Sequence, residues 1–292
     1  MPPAAATDRL LAKLFEAIDT NLASRVMGRL AGIPLPAPVL RVLAERFAAL
    51  YGADLSEMAE PLAAYRTFDA FFTRRLRPGA RPISTGEALV SPCDGTIGAC
   101  GVAGGGELLQ AKGSTYTLAG LVGSDAEAAR LSGGHYWTIY LAPRNYHRVH
   151  SPCTAAVEGF VHLPGPLFPV NAFGVRAFDA LFERNERVVT LLRDERGLRA
   201  ALIMVGAYSV GSIELVYAPF RANQRAGQGE SRRWHDGDMP RLAAGDELGI
   251  FHLGSTVILL TEPGFGDGAA AAAAAPREGE PVRMGEPLGF PL

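Results

Sequence analysis

The N-terminal part of the chain carries apolar residues at helical spacing, with charged residues between them. In its first segment, the apolar residues that recur three or four positions apart are Leu10, Leu11, Leu14, Phe15 and Ile18. The same period continues over residues 22–30 and, after the break at Ile33-Pro34-Leu35-Pro36, over residues 38–51. A further short helix is expected near residues 68–75. The pattern therefore predicts three amphipathic helices and a fourth, short one.

From residue 78 onwards, short apolar runs alternate with Gly, Pro and Asp turns, which is typical of β-strands. The runs that we predict to be strands are 88–90, 96–102, 136–142, 155–163, 188–192, 200–205, 212–217, 247–253 and 256–261. A last strand and turn are predicted over 282–292, and the Ala-rich stretch 268–276 is predicted to be a mobile loop. The expected fold is α+β: an N-terminal helical region (1–66), then a mostly antiparallel β barrel-sandwich core (67–292).

Composition narrows the classes of function. The 292 residues are 48% hydrophobic and 20% charged, with a net charge of -2, so we expect no nucleic-acid partner. The three cysteines (Cys93, Cys100 and Cys153) have no paired spacing, which argues against a disulfide framework and a structural zinc site. Because no run reaches about 18 apolar residues, any membrane contact is expected to be peripheral.

Two segments, Ser91-Pro92-Cys93 and Ser151-Pro152-Cys153, begin a shared S-P-C-x-x-x-[I/V] pattern. Such turn-then-strand units resemble the barrel-sandwich folds of biotinyl and lipoyl carrier domains. The repeat is a low-grade signal, because Ser-Pro turns are common. A carrier module would also need a modifiable lysine at a hairpin tip, and Lys112 lacks the Met-Lys-Met or Asp-Lys-Ala setting of such carriers.

Gly254-Ser255 lies between two predicted strands. One interpretation is a β-bulge or tight turn, for which Gly supplies unusual backbone angles. The other is backbone self-cleavage, in which the serine hydroxyl attacks the preceding carbonyl and forms an ester. Gly suits that position because it has no side chain to block the attack. Elimination of the ester leaves dehydroalanine, and hydration with loss of ammonia then gives a pyruvoyl group at the new N-terminus.

His147 and His150 lie three residues apart, and Asp94 lies in a Cys-Asp-Gly segment. The histidines are open to three interpretations: surface residues, a zinc pair without a third ligand nearby, or an acid–base pair. Asp94 is either a turn residue or a carboxylate that orients a histidine. Asp, His and Ser together can form a triad, which is recognised by role and not by chain order. A metal-dependent hydrolase is the alternative for His147, His150 and Asp94.

These features, in this order, resemble bacterial phosphatidylserine decarboxylases, which are pyruvoyl-dependent and self-processing. Other segments that resemble the family are Phe72-Thr73-Arg74-Arg75-Leu76-Arg77-Pro78, Arg81-Pro82-Ile83, Gln110-Ala111-Lys112-Gly113 with Tyr116, and the ranges 165–171, 185–187, 210–213 and 251–258. The similarity runs over residues 68–262 and more loosely through the N-terminal helices. Each motif is modest alone, and their ordered set carries the resemblance.

The resemblance implies a self-cleavage triad of Asp94, His150 and Ser255. His150 would take the Ser255 proton, and Asp94 would hold His150. Cleavage between Gly254 and Ser255 would give a β chain of residues 1–254 and an α chain of residues 255–292. Ser255 would become the covalent pyruvoyl cofactor, and no metal is expected.

The resemblance also implies the reaction. The pyruvoyl group would form a Schiff base with phosphatidylserine and accept electrons as CO2 leaves, giving phosphatidylethanolamine for phospholipid biosynthesis. His147 would position the substrate or transfer a proton. Phe168 and Val170 would shape a water-poor pocket.

A lipid substrate requires a membrane surface. The N-terminal helices are therefore expected to be a membrane-associating region, which places the enzyme peripherally on the cytoplasmic side of the cell membrane, against anionic lipid. The alternative is a soluble helical cap. An α/β heterodimer from one proenzyme is expected, with a dimer of heterodimers left open. A pyruvoyl decarboxylase of a soluble amino acid is the remaining rival, and the N-terminal helices argue against it.

Overall fold

The computed structural model describes residues 6–86, 89–104, 116–208, 212–223, 229–252, 255–265 and 275–290. Helices α1 to α4 are Ala6–Ala17, Thr20–Ala31, Ala37–Tyr51 and Phe68–Phe72, with a 3₁₀ helix at Leu62–Ala64. Helices α5 to α8 are Leu118–Val122, Asp125–Leu131, Ala172–Ala177 and Leu181–Arg184. Strands β1 to β13 are Gly95–Val102, His135–Leu141, Arg148–His150, Ala155–Leu163, Arg187–Arg193, Arg199–Val205, Ser212–Leu215, Phe220–Arg221, Ser231–Arg233, Arg241–Leu242, Glu247–His252, Ser255–Thr261 and Pro281–Val282.

The α+β class and the four N-terminal helices are confirmed. The division into regions 1–66 and 67–292 stays a prediction. Of the predicted strand 88–90, Val90 forms a single bridge with Pro287. The Ala-rich stretch lies almost entirely outside the described residues, as does Lys112.

Local sequence sets the ends of the N-terminal helices. Asp19 caps α2 by accepting the Leu22 N–H at 2.8 Å. Helix α3 begins after Pro36 and ends at Gly52, whose left-handed φ of 74° suits a residue without a side chain. None of the described helices is long and apolar enough to cross a membrane.

Helices α1 to α3 expose many large apolar side chains among their charged ones. Of the large apolar side chains that are exposed among the described residues, all but Val102 and Val216 lie between residues 10 and 51. Leu10 and Leu50 are the most exposed of them, at 70% and 76%. The exposed large apolar side chains of the described residues are therefore concentrated on the N-terminal helices, and the membrane-associating role of these helices stays a prediction.

Two antiparallel sheets form the core. The larger sheet has the order β10-β4-β5-β6-β12-β2-β1-β13, with β9 added on β4, and the smaller has the order β3-β11-β7-β8. The barrel part of the prediction is wrong: in the described residues no pairing joins β10 to β13, so the larger sheet stays open. The smaller sheet packs on one face of the larger sheet, as in a sandwich, while helices cover the other face.

Strand β12 lies at the centre of the larger sheet, between β6 and β2. All seven of its residues are buried. Val257 and Leu259 point into the core between the sheets, and Ile258 and Leu260 point into the core under the helices. At roughly 1.5–3 kcal/mol for each buried aliphatic side chain, this strand binds the C-terminal segment firmly to the rest of the chain.

The two Ser-Pro-Cys segments, 91–93 and 151–153, have the same local structure. In each, the serine hydroxyl donates to the cysteine carbonyl, at 2.8 and 2.7 Å. Each serine carbonyl accepts an N–H from a turn glycine with positive φ, Gly285 or Gly245. The residue before each segment donates its N–H to the proline carbonyl of the other segment, both at 2.8 Å. The weak sequence repeat is therefore a structural duplication with approximate twofold symmetry.

Candidate active site

Ser255 is the first residue of β12, where it pairs with Leu141 of β2. Its side chain is 1% exposed, and its hydroxyl has no hydrogen-bond partner among the described residues. A buried hydroxyl without a partner costs free energy, so this one is held ready for chemistry or for a ligand. Leu253 and Gly254, which precede it, lie outside the described residues.

Ser255 lines a cavity of about 450 Å³ between the core and the N-terminal helices. The other lining side chains are mainly apolar and come from α1, α3, α4, the end of β2 and the residues after it, the segment 169–173, and the segment after β6. They are Leu11, Phe15, Phe47, Tyr51, Phe72, Tyr140, Leu141, Pro143, Pro169, Val170, Asn171, Phe173, Ala207 and Tyr208. Such a cavity suits a substrate that carries both a polar group and apolar chains.

Val170, one of the two predicted pocket residues, lies in the wall of this cavity. Phe168 lies behind the wall: its ring stacks on Phe178 at 4.3 Å between centroids, and the Arg184 guanidinium lies 4.9 Å above it. Phe168 therefore supports the segment that carries Val170, without touching the cavity itself.

His147 is fully buried beside the cavity, with its ring 4.1 Å from the Phe72 ring. Its Nδ1 contacts the Asn145 carbonyl at 2.8 Å, and its Nε2 has no partner among the described residues. Because a carbonyl only accepts, Nδ1 carries the hydrogen and Nε2 the lone pair. Burial, helped by the Arg74 cation, lowers the pKa of His147 from 6.5 to about 3, so the ring is neutral at physiological pH.

His150 ends strand β3. Its Nδ1 donates to the Gly245 carbonyl at 2.7 Å, which leaves Nε2 to accept the Tyr146 hydroxyl at 3.0 Å. Burial lowers the pKa of His150, and the hydrogen bond to Gly245, followed by the Glu247 carboxylate and more weakly the Asp94 carboxylate, opposes that effect. The neutral ring is thus fixed in the tautomer that can accept a proton at Nε2.

Asp94 is 5% exposed and is held by Arg81 through two hydrogen bonds, of 2.8 and 2.6 Å. Its Oδ1 also accepts the Met284 N–H at 2.9 Å, and the same arginine binds Glu57. The carboxylate is therefore a fixed, fully engaged anion.

The segments that carry Asp94 and His150 are hydrogen-bonded to each other, because the His150 N–H donates to the Pro92 carbonyl at 2.8 Å. Among the described residues, no hydrogen bond joins the side chains of Asp94 and His150, or those of His150 and Ser255. Tyr146 occupies the His150 nitrogen that the triad would use. The triad remains a prediction. In this structure the Nε2 atom of His150 already accepts a hydrogen bond from Tyr146.

Arg74 was not predicted as a site residue, although its motif was recognised. It is 3% exposed, its Nε and Nη1 have no partner in the described part of the chain, and its Nη2 reaches only the Arg144 carbonyl at 3.5 Å. Burial lowers its pKa. Tyr146 and Arg81 were missed as well, because sequence spacing does not reveal which side chains meet across the fold.

A metal site was one alternative for the histidines. In residues that the structure describes, no group of three or more His, Cys, Asp or Glu side chains could hold a metal ion.

Comparison with known proteins gives a consistent result. The family model described as phosphatidylserine decarboxylase matches residues 68–290. The chain is 44% identical to the phosphatidylserine decarboxylase proenzyme of Anaeromyxobacter sp. (strain K), over 97% of this chain and 98% of the relative. Proteins of the same description from Acidovorax ebreus (44% identical; 92% of each chain) and Brevibacillus brevis (42%; 87% of this chain and 89% of the relative) are also similar.

Proposed function

Because the chain belongs to the phosphatidylserine decarboxylase family, we propose that it converts phosphatidylserine to phosphatidylethanolamine and CO2 after processing itself at Ser255. One observation carries the proposal: the buried Ser255 hydroxyl, which has no hydrogen-bond partner among the described residues, lies in the wall of a largely apolar cavity of about 450 Å³. Neither a turn nor a bulge needs a serine in such a place.

Self-cleavage begins with the Ser255 hydroxyl. Its oxygen attacks the Gly254 carbonyl carbon and forms an ester, the peptide C–N bond breaks, and the nitrogen of residue 255 becomes an amine by taking up the proton that leaves the hydroxyl. Elimination then breaks the ester C–O bond, releases the Gly254 carboxylate and leaves dehydroalanine, whose hydration and loss of ammonia give the pyruvoyl group. His150 takes the hydroxyl proton at Nε2 once Tyr146 releases that atom, and Asp94 stabilises the resulting imidazolium through space. Arg81 holds Asp94 in place for this role.

The residues around Ser255 fit a covalent pyruvoyl group at that position, since the cavity leaves room beside a chain end that starts a rigid strand. That group supplies an electrophilic carbonyl, which takes up the electrons released when CO2 leaves. His147 stays neutral with a lone pair on Nε2, so this atom can accept a proton or a hydrogen bond from the substrate amine and position the substrate. The apolar walls exclude water, which favours loss of a charged carboxylate.

The two chains of the processed enzyme stay together as a heterodimer. Strand β12 begins at the cleavage site, and its neighbours β6 and β2 belong to the larger fragment. Separation would expose both cores at once.

The exposed apolar side chains of α1 to α3 hold the enzyme at the cytoplasmic side of the membrane as a peripheral protein. Two of these helices also line the Ser255 cavity, through Leu11 and Phe15 of α1 and Phe47 and Tyr51 of α3. A lipid can therefore pass from the bilayer into the cavity between them, with its headgroup leading. Arg9, Lys13, Arg29 and Arg46 add positive charge for anionic headgroups on these helices.

Denaturing mass spectrometry tests the proposed function. Wild type should separate into fragments 1–254 and 255–292, and borohydride with phosphatidylserine should add the lipid to the smaller fragment. Ser255→Ala should stay whole and inactive. Ser56→Ala, at an exposed loop serine outside the cavity, is the matched control and should cleave normally. A single full-length wild-type species that is fully active would refute the proposal.

A further inference from the structure

A second cavity, of about 180 Å³, lies between α2, α4 and the smaller sheet, and it shares no lining residue with the Ser255 cavity. Ser24, Arg25 and Arg29 line it from α2, while Arg221 and His252 line it from the sheet. We call it the α2 arginine cavity. Nothing in the decarboxylation described above uses it.

The α2 arginine cavity has an excess of positive charge. Among the described residues, its three guanidinium groups face two carboxylates. Asp69 is hydrogen-bonded to His252 at 2.9 and 3.0 Å, and Glu214 lies 3.1 Å from the other ring nitrogen of His252 and 3.7 Å from Arg221. Arg25 donates one hydrogen bond to Asn223 at 3.0 Å, and Arg221 donates one to Ser212. Each guanidinium has five N–H donors, so most remain available to a ligand. Charge and donor supply therefore favour an oxyanion.

A buried hydroxyl points to the same ligand. Ser24 is 1% exposed, and its Oγ lies in the cavity wall without a hydrogen-bond partner among the described residues. Gly28 follows one turn later, and a side chain built there would meet no atom within 4 Å. The wall thus offers an unsatisfied donor beside open space, where a ligand oxygen would be accommodated.

The position of the cavity indicates the source of the oxyanion. The row Arg25–Arg29 on α2 neighbours the row Leu22, Val26 and Leu30, which are 50%, 44% and 55% exposed. A phosphate bound by the arginines would leave attached acyl chains lying along this apolar row. That is the geometry of a phospholipid at an interface.

We propose that the α2 arginine cavity binds the phosphate of an anionic phospholipid that is not the substrate, and so anchors α2 at the headgroup level. The inference rests on the interfacial location proposed above. Free inorganic phosphate has the same chemistry, and the experiment separates the two sources.

The test uses full-length protein with Arg25→Gln, Arg221→Gln or Ser24→Ala. Arg46→Gln is the matched control, because it removes an exposed cation from α3 outside the cavity. Binding is measured by flotation with phosphatidylcholine vesicles that contain phosphatidylglycerol, which has no amine to react at Ser255. Inorganic phosphate is tested separately by thermal shift.

Each arginine variant should weaken vesicle binding about tenfold, and Ser24→Ala about threefold, since each loses one hydrogen bond or more to the phosphate. Arg46→Gln should change it about twofold. If the variants bind vesicles like wild type but are no longer stabilised against heat by inorganic phosphate, the site is supported with free phosphate as its ligand. If all three behave like Arg46→Gln in both assays, the inference is overturned. Self-cleavage, scored separately, decides the proposed function independently.

Discussion

The buried, neutral state of His147 makes a quantitative prediction about stability and pH. Its pKa is lowered from 6.5 to about 3 by burial in the folded protein. Below the ordinary pKa the unfolded chain therefore binds a proton that the folded chain refuses, so the free energy of unfolding falls as the pH falls. The contribution of His147 is constant above that value and declines by roughly 1.4 kcal/mol per pH unit below it. Between about pH 8 and pH 5 the loss is about 2 kcal/mol.

His147→Gln should remove this loss, because an amide does not titrate. Urea unfolding of Ser255→Ala and of Ser255→Ala with His147→Gln, at both pH values, measures it in a single covalent chain. The double variant should lose about 2 kcal/mol less than its parent, with carboxylate effects cancelling in the difference. His235→Gln, at an exposed histidine, is the control and should leave the loss unchanged. Equal losses in parent and double variant would mean that the ring protonates freely, and its role as a neutral base would fall with that result.

Three further outcomes are expected. Arg81→Met leaves the buried Asp94 carboxylate without its cation, and Glu57 with Arg283 alone, and should lower the free energy of unfolding by about 3–5 kcal/mol. Arg77→Met, at an exposed arginine, should have little effect, and equal urea midpoints would contradict this. Tyr146→Phe frees the acceptor nitrogen of His150 and should speed self-cleavage in a time course after synthesis. Slower cleavage would mean that the Tyr146 hydroxyl assists the reaction and does not block His150. Leu14→Asp, at a 58% exposed position, should reduce vesicle flotation about tenfold or more without changing the melting temperature, and unchanged flotation would remove the membrane role of α1.

Periodicity predicted the elements whose burial is regular. The predicted strand 155–163 coincides with β4, and 256–261 falls one residue short of β12, because β-branched and aliphatic residues dominate both. Strand β3, with three residues, is too short for any period to be visible. Helices α5 to α8 were also missed, since four to seven residues give barely two turns. Closure of a sheet depends on pairing between distant strands, which no local pattern reports.

The sequence indicated which residues to consider for the site, but it indicated few of the contacts between their side chains. Ser255 and His147 were singled out by their motifs together with the family resemblance. The structure places Ser255 in the cavity wall and His147 against Phe72 of that wall, and their roles stay predictions. The pairing of Arg81 with Asp94 depends on the fold, which brings two loops together, and the motif Arg-Pro-Ile gave no sign of it. Likewise, the hydrogen bond from Tyr146 to His150 joins residues four positions apart, and a sequence pattern that indicates a turn does not predict it.

The proposed cleavage would change which polypeptides the two copies of the duplication connect. One turn glycine, Gly245, lies before the cleavage site and the other, Gly285, lies after it. Cleavage at the proposed site would therefore leave the Gly245–Ser151 hydrogen bond within one polypeptide and make the Gly285–Ser91 hydrogen bond a contact between two polypeptides. Asp94 belongs to that second contact through the Met284 N–H, so the small chain would complete the coordination of a carboxylate carried by the large one. Neither fragment alone would contain all the residues around Asp94, so the chain must fold before it is cleaved.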